Sequence, residues 1–339
     1  MSIRKSIRRA AFDGLLSAPA AIQRLAGTPP VIRGQSPAPD VWWACVVMGR
    51  LEAKTPRPAR LRRDYADACP VLDAPVPDTV TTRDMTVPAR DGHAIPVRVY
   101  TPNNPSGAGV VYNHGGGFVI GNLDSHHSLC SRLAHDTGAI VVAVDYRLAP
   151  EHPFPVPWHD AEDAWNAVHA QAQELGITGT IAIGGDSAGA NLAIWVGWHA
   201  ETAPSAVWAL YPPTDAGGSY PSNQDFAKRL VLTEARKRWF RDQVYAPEDL
   251  TSRAAQPLKN DPTRPDGVVV PHVVAVAGMD ILRDEGEAYI QHLRDHDVPV
   301  IGLHLPGQVH GFANLCRFPS CQLAYEDCVE ALRPHLRSA

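Results

Sequence analysis

The sequence predicts an α/β domain, a mostly parallel sheet with helices on both faces and a helical cap. Three observations predict it. From residue 109 onward, short apolar runs alternate with amphipathic helical stretches, the order that lays parallel strands side by side. The runs are apolar throughout instead of at every second residue, as strands covered on both faces require. Before residue 73 there are helix signals but no strand signal. Hydrophobic residues make up 45% of the 339 and charged residues 20%, which is material for one large core.

The opening Ser2 to Arg9 is basic and mildly amphipathic. Asp13 and Gly14 interrupt the apolar centre a secretion signal needs, so the simplest reading is a surface helix, with contact to an anionic membrane as the alternative. Asp40 to Leu51, with Trp42 and Trp43, is a helix too apolar to stand in water, and Ala59 to Cys69 is a second helix. Residues 1–75 are therefore read as a cap over a catalytic domain of residues 76–339. Asp84 to Ala89 and Ala94 to Tyr100 alternate around Asp91-Gly92, a hairpin signal. Then come a strand at Gly109 to Asn113, a helix from Ser128 to Thr137 and a strand from Ala139 to Asp145. A proline-rich connection leads to a helix from His159 to Glu174, a strand from Thr180 to Ile183 and a helix from Asn191 to Ala200. A strand at Ala206 to Tyr211 precedes a polar insertion at about 213–255, whose helix runs from Glu234 to Val244. A strand at Val273 to Ala277, a helix from Glu285 to His296, a strand at Val300 to His304 and a helix from Gln322 to His335 complete the chain.

Chemistry concentrates where strands end. Gly185, Ser187 and Gly189 form G-x-S-x-G between an apolar strand and a small-residue helix. A strand that turns at once into a helix holds its apex at positive φ, and glycines two before and two after remove Cβ atoms that would collide. The serine hydroxyl then stands clear at a helix N-terminus. It needs a base, and the base needs an acid to orient it. Asp280 follows one strand and His310 follows the last, in the order serine, acid, histidine. Asp284, Glu285 and Glu287 read as helix carboxylates facing water, and His304 as a packed strand residue. The strand before His114 ends in Gly115-Gly116-Gly117, whose free N–H groups, with that of Ala188, can converge on one oxyanion. Phe118, Trp158 and Trp42 are apolar candidates for the substrate pocket.

The stretches HGGGFVIGNLDSH from His114, DYRLAPEHPFPVPWHDA from Asp145, GGDSAGANLA from Gly184, YPPTD from Tyr211, AGMDILRDEG from Ala277 and GQVHGF from Gly307 resemble the bacterial hormone-sensitive-lipase-type esterases of the α/β-hydrolase superfamily. They span the last two-thirds of the chain in that family's order. The resemblance implies an α/β-hydrolase fold with an eight-stranded sheet and a cap built from the N-terminal helices and the insertion. It implies a triad of Ser187, Asp280 and His310, an oxyanion hole at the glycine turn, and a short- to medium-chain ester as substrate. It implies no metal and no organic cofactor. Ile281 stands where the family usually has proline, and Val156 to His159 depart from the commoner small residues. Asp145, Arg147 and Glu151 are expected in buried ion pairs, Asp186 as a structural partner, and Asn191 as a support of the elbow.

The net charge of −5 gives no footprint for nucleic acid. Six cysteines without a C-x-x-C pair fit buried thiols and a reducing, cytoplasmic setting, with export or envelope association as the alternative. Pairing of two copies through the last strand and helix is a family habit. The same machinery would serve amide, lactone or thioester hydrolysis. A relative that has lost catalysis and only binds ligand is the rival from another class, and the presence of His310 argues against it.

Overall fold

The computed structural model describes residues 14, 16, 24–51 and 57–337. The basic segment from Ser2 to Arg9 lies outside them. Eight strands form one sheet: β1 (Val80–Pro88), β2 (Ala94–Pro102), β3 (Gly109–Asn113), β4 (Ile140–Val144), β5 (Ile181–Asp186), β6 (Val207–Leu210), β7 (His272–Met279) and β8 (Val300–Val309). Their order across the sheet is β1-β2-β4-β3-β5-β6-β7-β8. The β1–β2 hairpin is antiparallel and β2 runs antiparallel to β4; every later pairing is parallel. The hairpin closes at Pro88 and Ala94, with Gly92 at φ 84° in the turn.

The helices are α1 (Pro39–Leu51), α2 (Pro58–Leu72), α3 (His127–Thr137), α4 (Val156–Ala170), α5 (Ala188–His199), α6 (Pro221–Asp225), α7 (Glu234–Val244), α8 (Arg283–Asp295) and α9 (Pro319–Leu332). Strands β3, β4 and β7 are buried at every position, because alternate side chains enter two different cores. Val110, Tyr112, Val141 and Trp208 pack with α3, α9 and the N-terminal helices. Val111, Val142, Ile183 and Val207 pack with α4, α5 and α8. All six cysteines are buried free thiols, used as small apolar side chains. No described helix is long and apolar enough to cross a membrane.

Register places the chemistry. Asn113 pairs with Gly185, so the glycine turn after β3 emerges beside the elbow after β5. Met279 pairs with Val309, past a bulge at Ala277, so the next residues, Asp280 and His310, leave the sheet side by side. The last strand, expected over Val300 to His304, runs on past Pro306-Gly307 to Val309 because pairing with β7 holds it.

The insertion is fastened at both roots. Asn191 Nδ2 donates to Pro213 O at 3.0 Å and to Ala254 O at 2.9 Å, while its Oδ1 accepts from Trp158 Nε1 at 2.9 Å. Asn191 thus holds the cap insertion, not the elbow as expected from the sequence.

Candidate active site

Ser187 sits at φ 51°, ψ −120°, between β5 and α5. The glycines permit it. A Cβ on Gly185 would stand 2.3 Å from Gly189 O, and one on Gly189 would stand 1.9 Å from Asn113 O. Ser187 N–H donates to Leu210 O at 2.8 Å, tying the apex to β6.

His310 Nε2 lies 2.8 Å from Ser187 Oγ, and His310 Nδ1 lies 2.7 Å from Asp280 Oδ2. Both His310 and Asp280 are buried. The carboxylate accepts at Nδ1, so the proton belongs there and Nε2 presents a lone pair to the hydroxyl. The second carboxylate oxygen, Oδ1, accepts from Leu282 N–H at 3.1 Å, which fixes the acid in the turn before α8. The Tyr211 ring stands edge-on to the imidazole at 4.9 Å.

The glycine turn departs from expectation at one position. Gly115 N–H donates to Asp186 Oδ1 at 2.8 Å, so it is spent and is not an oxyanion donor. No acceptor among the described residues takes the N–H of Gly116, Gly117 or Ala188. Gly116 (φ 122°) and Gly117 (φ 61°) adopt backbone that side chains resist, and a Cβ on Gly116 would meet Ile120 O at 2.1 Å. Tyr146 OH donates to His114 O at 2.7 Å, and the two rings stack at 4.3 Å. Burial pushes the His114 imidazole down to about 3, with His126 adding to the effect, so it is neutral at working pH.

A cavity of about 1200 Å³ opens over Ser187. Its apolar walls include Leu61 and Tyr65 from α2, Phe118 from the turn, Phe240 and Val244 from α7, and Leu282. Two pocket expectations are corrected. Trp158 is fully buried behind the wall, its ring 4.4 Å from Phe118 and its N–H given to Asn191. Trp42 is buried in the α1 packing and donates Nε1 to Ala26 O, and Cys45 and Met48 reach the cavity in its place. Phe240 was missed. Its ring covers Gly117 so closely that a Cβ there would be 2.4 Å from it, and nothing in a polar helix sequence marks such a contact.

The charged residues also rearrange the expectations. Arg147 does form the expected buried pair, with Asp160 at 2.7 Å, and also reaches Asp91; the two acids, Asp145 and Glu151, do not. Glu151 pairs with Arg62 of α2 at 2.6 Å and is half exposed. Among the described residues the ion-pair contact of Asp145 is His114 Nε2, 3.9 Å away, and burial raises its carboxyl to about 6 against the opposing charge of Arg98. Glu285 does not face water: it is fully buried and accepts from Lys237 Nζ of α7 at 2.7 Å and from Thr214 N–H at 3.0 Å. His304 is partly exposed and bonds Glu287 at 2.6 Å instead of packing. Among the described residues no group of three or more His, Cys, Asp or Glu side chains could hold a metal ion.

Residues 110–314 match the family model described as alpha/beta hydrolase fold. The chain belongs to the α/β-hydrolase family. Within it, this hydrolase groups with the hormone-sensitive-lipase-type esterases. An ethyl acetate hydrolase of Pseudomonas putida is 35% identical over 287 residues, covering 81% of this chain and 89% of that protein. The carboxylic ester hydrolase LipN of Mycobacterium tuberculosis is 37% identical over 274 residues, or 76% and 71% of the two chains. The solved structure of a hyperthermophilic esterase from the archaeon Pyrobaculum calidifontis matches this α/β hydrolase with a TM-score of 0.78 at 30% identity, over 88% of this chain and 98% of that one.

Proposed function

We propose that this carboxylesterase acts through an acyl-enzyme on Ser187, with His310 as base, Asp280 as its orienting acid, and short- to medium-chain esters as substrates. The observation that carries the reading is the pair of contacts, 2.8 Å from serine to imidazole and 2.7 Å from imidazole to carboxylate. Nε2 takes the hydroxyl proton as Oγ attacks the ester carbonyl carbon. The carbonyl oxygen becomes an oxyanion and receives the N–H groups of Gly116, Gly117 and Ala188. The intermediate collapses by breaking the bond to the alcohol oxygen, which takes the proton from His310. Water then attacks the acyl-enzyme, giving its proton to His310, and the acid leaves as Ser187 regains its hydrogen.

The acyl preference draws on the aromatic crowding at Phe118 and Phe240 beside the turn, and on a relative whose name specifies the acetate of a two-carbon alcohol. Two measurements test the reading. Ser187→Ala should lower kcat by on the order of 10⁶ and abolish labelling by a fluorophosphonate probe. In a p-nitrophenyl ester series, kcat/KM should peak at a short or medium chain. A maximum at twelve carbons or longer would refute the preference without touching the mechanism.

A further inference from the structure

The carboxylate of Asp186, the residue before the nucleophile, joins parts of the fold that must not move relative to one another. Its Oδ1 accepts from Gly115 N–H at 2.8 Å and from Tyr112 OH at 2.8 Å. Its Oδ2 accepts from Asn314 Nδ2 at 3.2 Å, in the 3-10 turn Phe312–Asn314 just past His310. His126 Nε2, at the start of α3, lies 3.2 Å from Oδ1. The group is 2% exposed.

Building on the acyl-enzyme reading above, we propose that Asp186 is a positioning residue that locks the oxyanion turn and the histidine loop onto the nucleophile at once, with His126 backing it. Three geometric facts support this. First, spending the Gly115 N–H on Asp186 leaves the next two N–H groups of the turn to face the cavity. Second, the turn cannot slide on the carboxylate, since a Cβ on Gly115 would stand 2.4 Å from Oδ2. Third, Asp186 is bonded in sequence to Ser187, so a shift of this side chain changes the geometry of hydroxyl, hole and base together. An interaction that aligns groups for the transition state raises kcat without tightening ground-state binding. The electrostatics agree. Burial alone would push this carboxyl up, but His126 and the donors from Tyr112 and Gly115 outweigh it and hold the group below the ordinary carboxylate range.

Asp186→Asn keeps the shape and removes the charge. With its oxygen kept on Gly115 N–H and Tyr112 OH, its NH₂ faces Asn314, whose amide must turn over to offer Oδ1, and the charge beside His126 is lost. The variant should lose kcat roughly 10- to 100-fold with KM within about threefold. Affinity for an alkylboronic acid, whose tetrahedral adduct on Ser187 places an oxygen in the hole, should weaken by the same factor as kcat. A purely structural role would lower Tm and leave both values per folded molecule unchanged. Asn314→Ala, which cuts only the link to the histidine loop, should show a smaller loss, roughly fivefold, with the same proportion between kcat and boronic acid affinity. If Asp186→Asn does not fold, Asn314→Ala decides on those readouts. A folded variant with kcat within about threefold of the parent, or one that loses kcat with boronic acid affinity intact, overturns the proposal. Failure of the acyl-enzyme reading itself is recognised separately, as a parent enzyme that no fluorophosphonate labels.

Discussion

Ser187 holds a backbone conformation that costs about 1–3 kcal/mol for a residue with a side chain. The surrounding atoms leave it no alternative: β6 grips its N–H, and glycines on both sides let β3 come close. Gly189→Ala should therefore fail to give soluble enzyme or lose several kcal/mol in urea unfolding, on the order of an overpacked core. Gly217→Ala is the control, since its Cβ would meet Gln256 at an ordinary 3.5 Å, and its midpoint should stay within about 1 kcal/mol of the parent. Asp145 makes a different residue-scale prediction. Its carboxyl is raised to about 6 by burial, helped by the negative charge of Asp124. A carboxyl whose folded pKa exceeds its unfolded one favours folding only while protonated. Its ionisation therefore weakens the fold as pH rises from about 4 through about 6. Asp145→Asn should stabilise the protein at pH 8 by about 1–2 kcal/mol, allowing for the part of the side chain that water still screens, and the gain should vanish at pH 4. Thermal unfolding at the two pH values checks it.

At the scale of elements, periodicity found each strand and helix of the hydrolase core, because burial on two faces leaves an unbroken apolar run in the sequence. It also put Ser187, Asp280 and His310 at three strand ends, and the structure brings them together, 2.8 Å from serine to imidazole and 2.7 Å from imidazole to carboxylate. It missed what depends on contact between distant segments. The sequence shows Asn191 one turn into a small-residue helix, and nothing local says that its amide reaches Pro213, Ala254 and Trp158. Likewise Glu285 reads as a first-turn carboxylate until α7 folds back and delivers Lys237. The length of β8 was hidden by Pro306-Gly307, which breaks a local pattern but not a ladder held by β7. Asn191→Leu is the test at this scale. It strands the Trp158 N–H and two carbonyls, and each unpaired buried group costs about 1–3 kcal/mol. The expected outcome is a loss of about 3 kcal/mol or more, with proteolysis of the native protein starting inside 213–255 and the core persisting longer.

The whole molecule is built on one sheet whose carboxyl ends carry Ser187, Asp280 and His310, roofed by pieces from two separate parts of the chain. The roof is joined to the core by charge as well as by apolar packing. Arg62 of α2 donates to Val119 O and Ala149 O at 2.8 Å each, beside the glycine turn. Lys237 of α7 reaches Glu285 of α8, five residues past Asp280. Since Glu285 is fully buried, the loss of its partner should be felt throughout the protein. Lys237→Met leaves a buried carboxylate without its cation, a change of about 3–5 kcal/mol against folding. Lys237→Met combined with Glu285→Gln should recover much of that loss, because the amide oxygen still accepts from Thr214 N–H and no charge remains. The pH dependence separates this from lost packing. Burial already raises the Glu285 carboxyl, with Lys237 opposing it, so removing the lysine raises it further. A raised carboxyl is tolerated when protonated, so the Lys237→Met deficit should shrink between pH 8 and pH 5, while the double variant should show no such recovery. Equal deficits at both pH values in urea unfolding would mean that Lys237 holds the roof through its aliphatic stem and not through its charge.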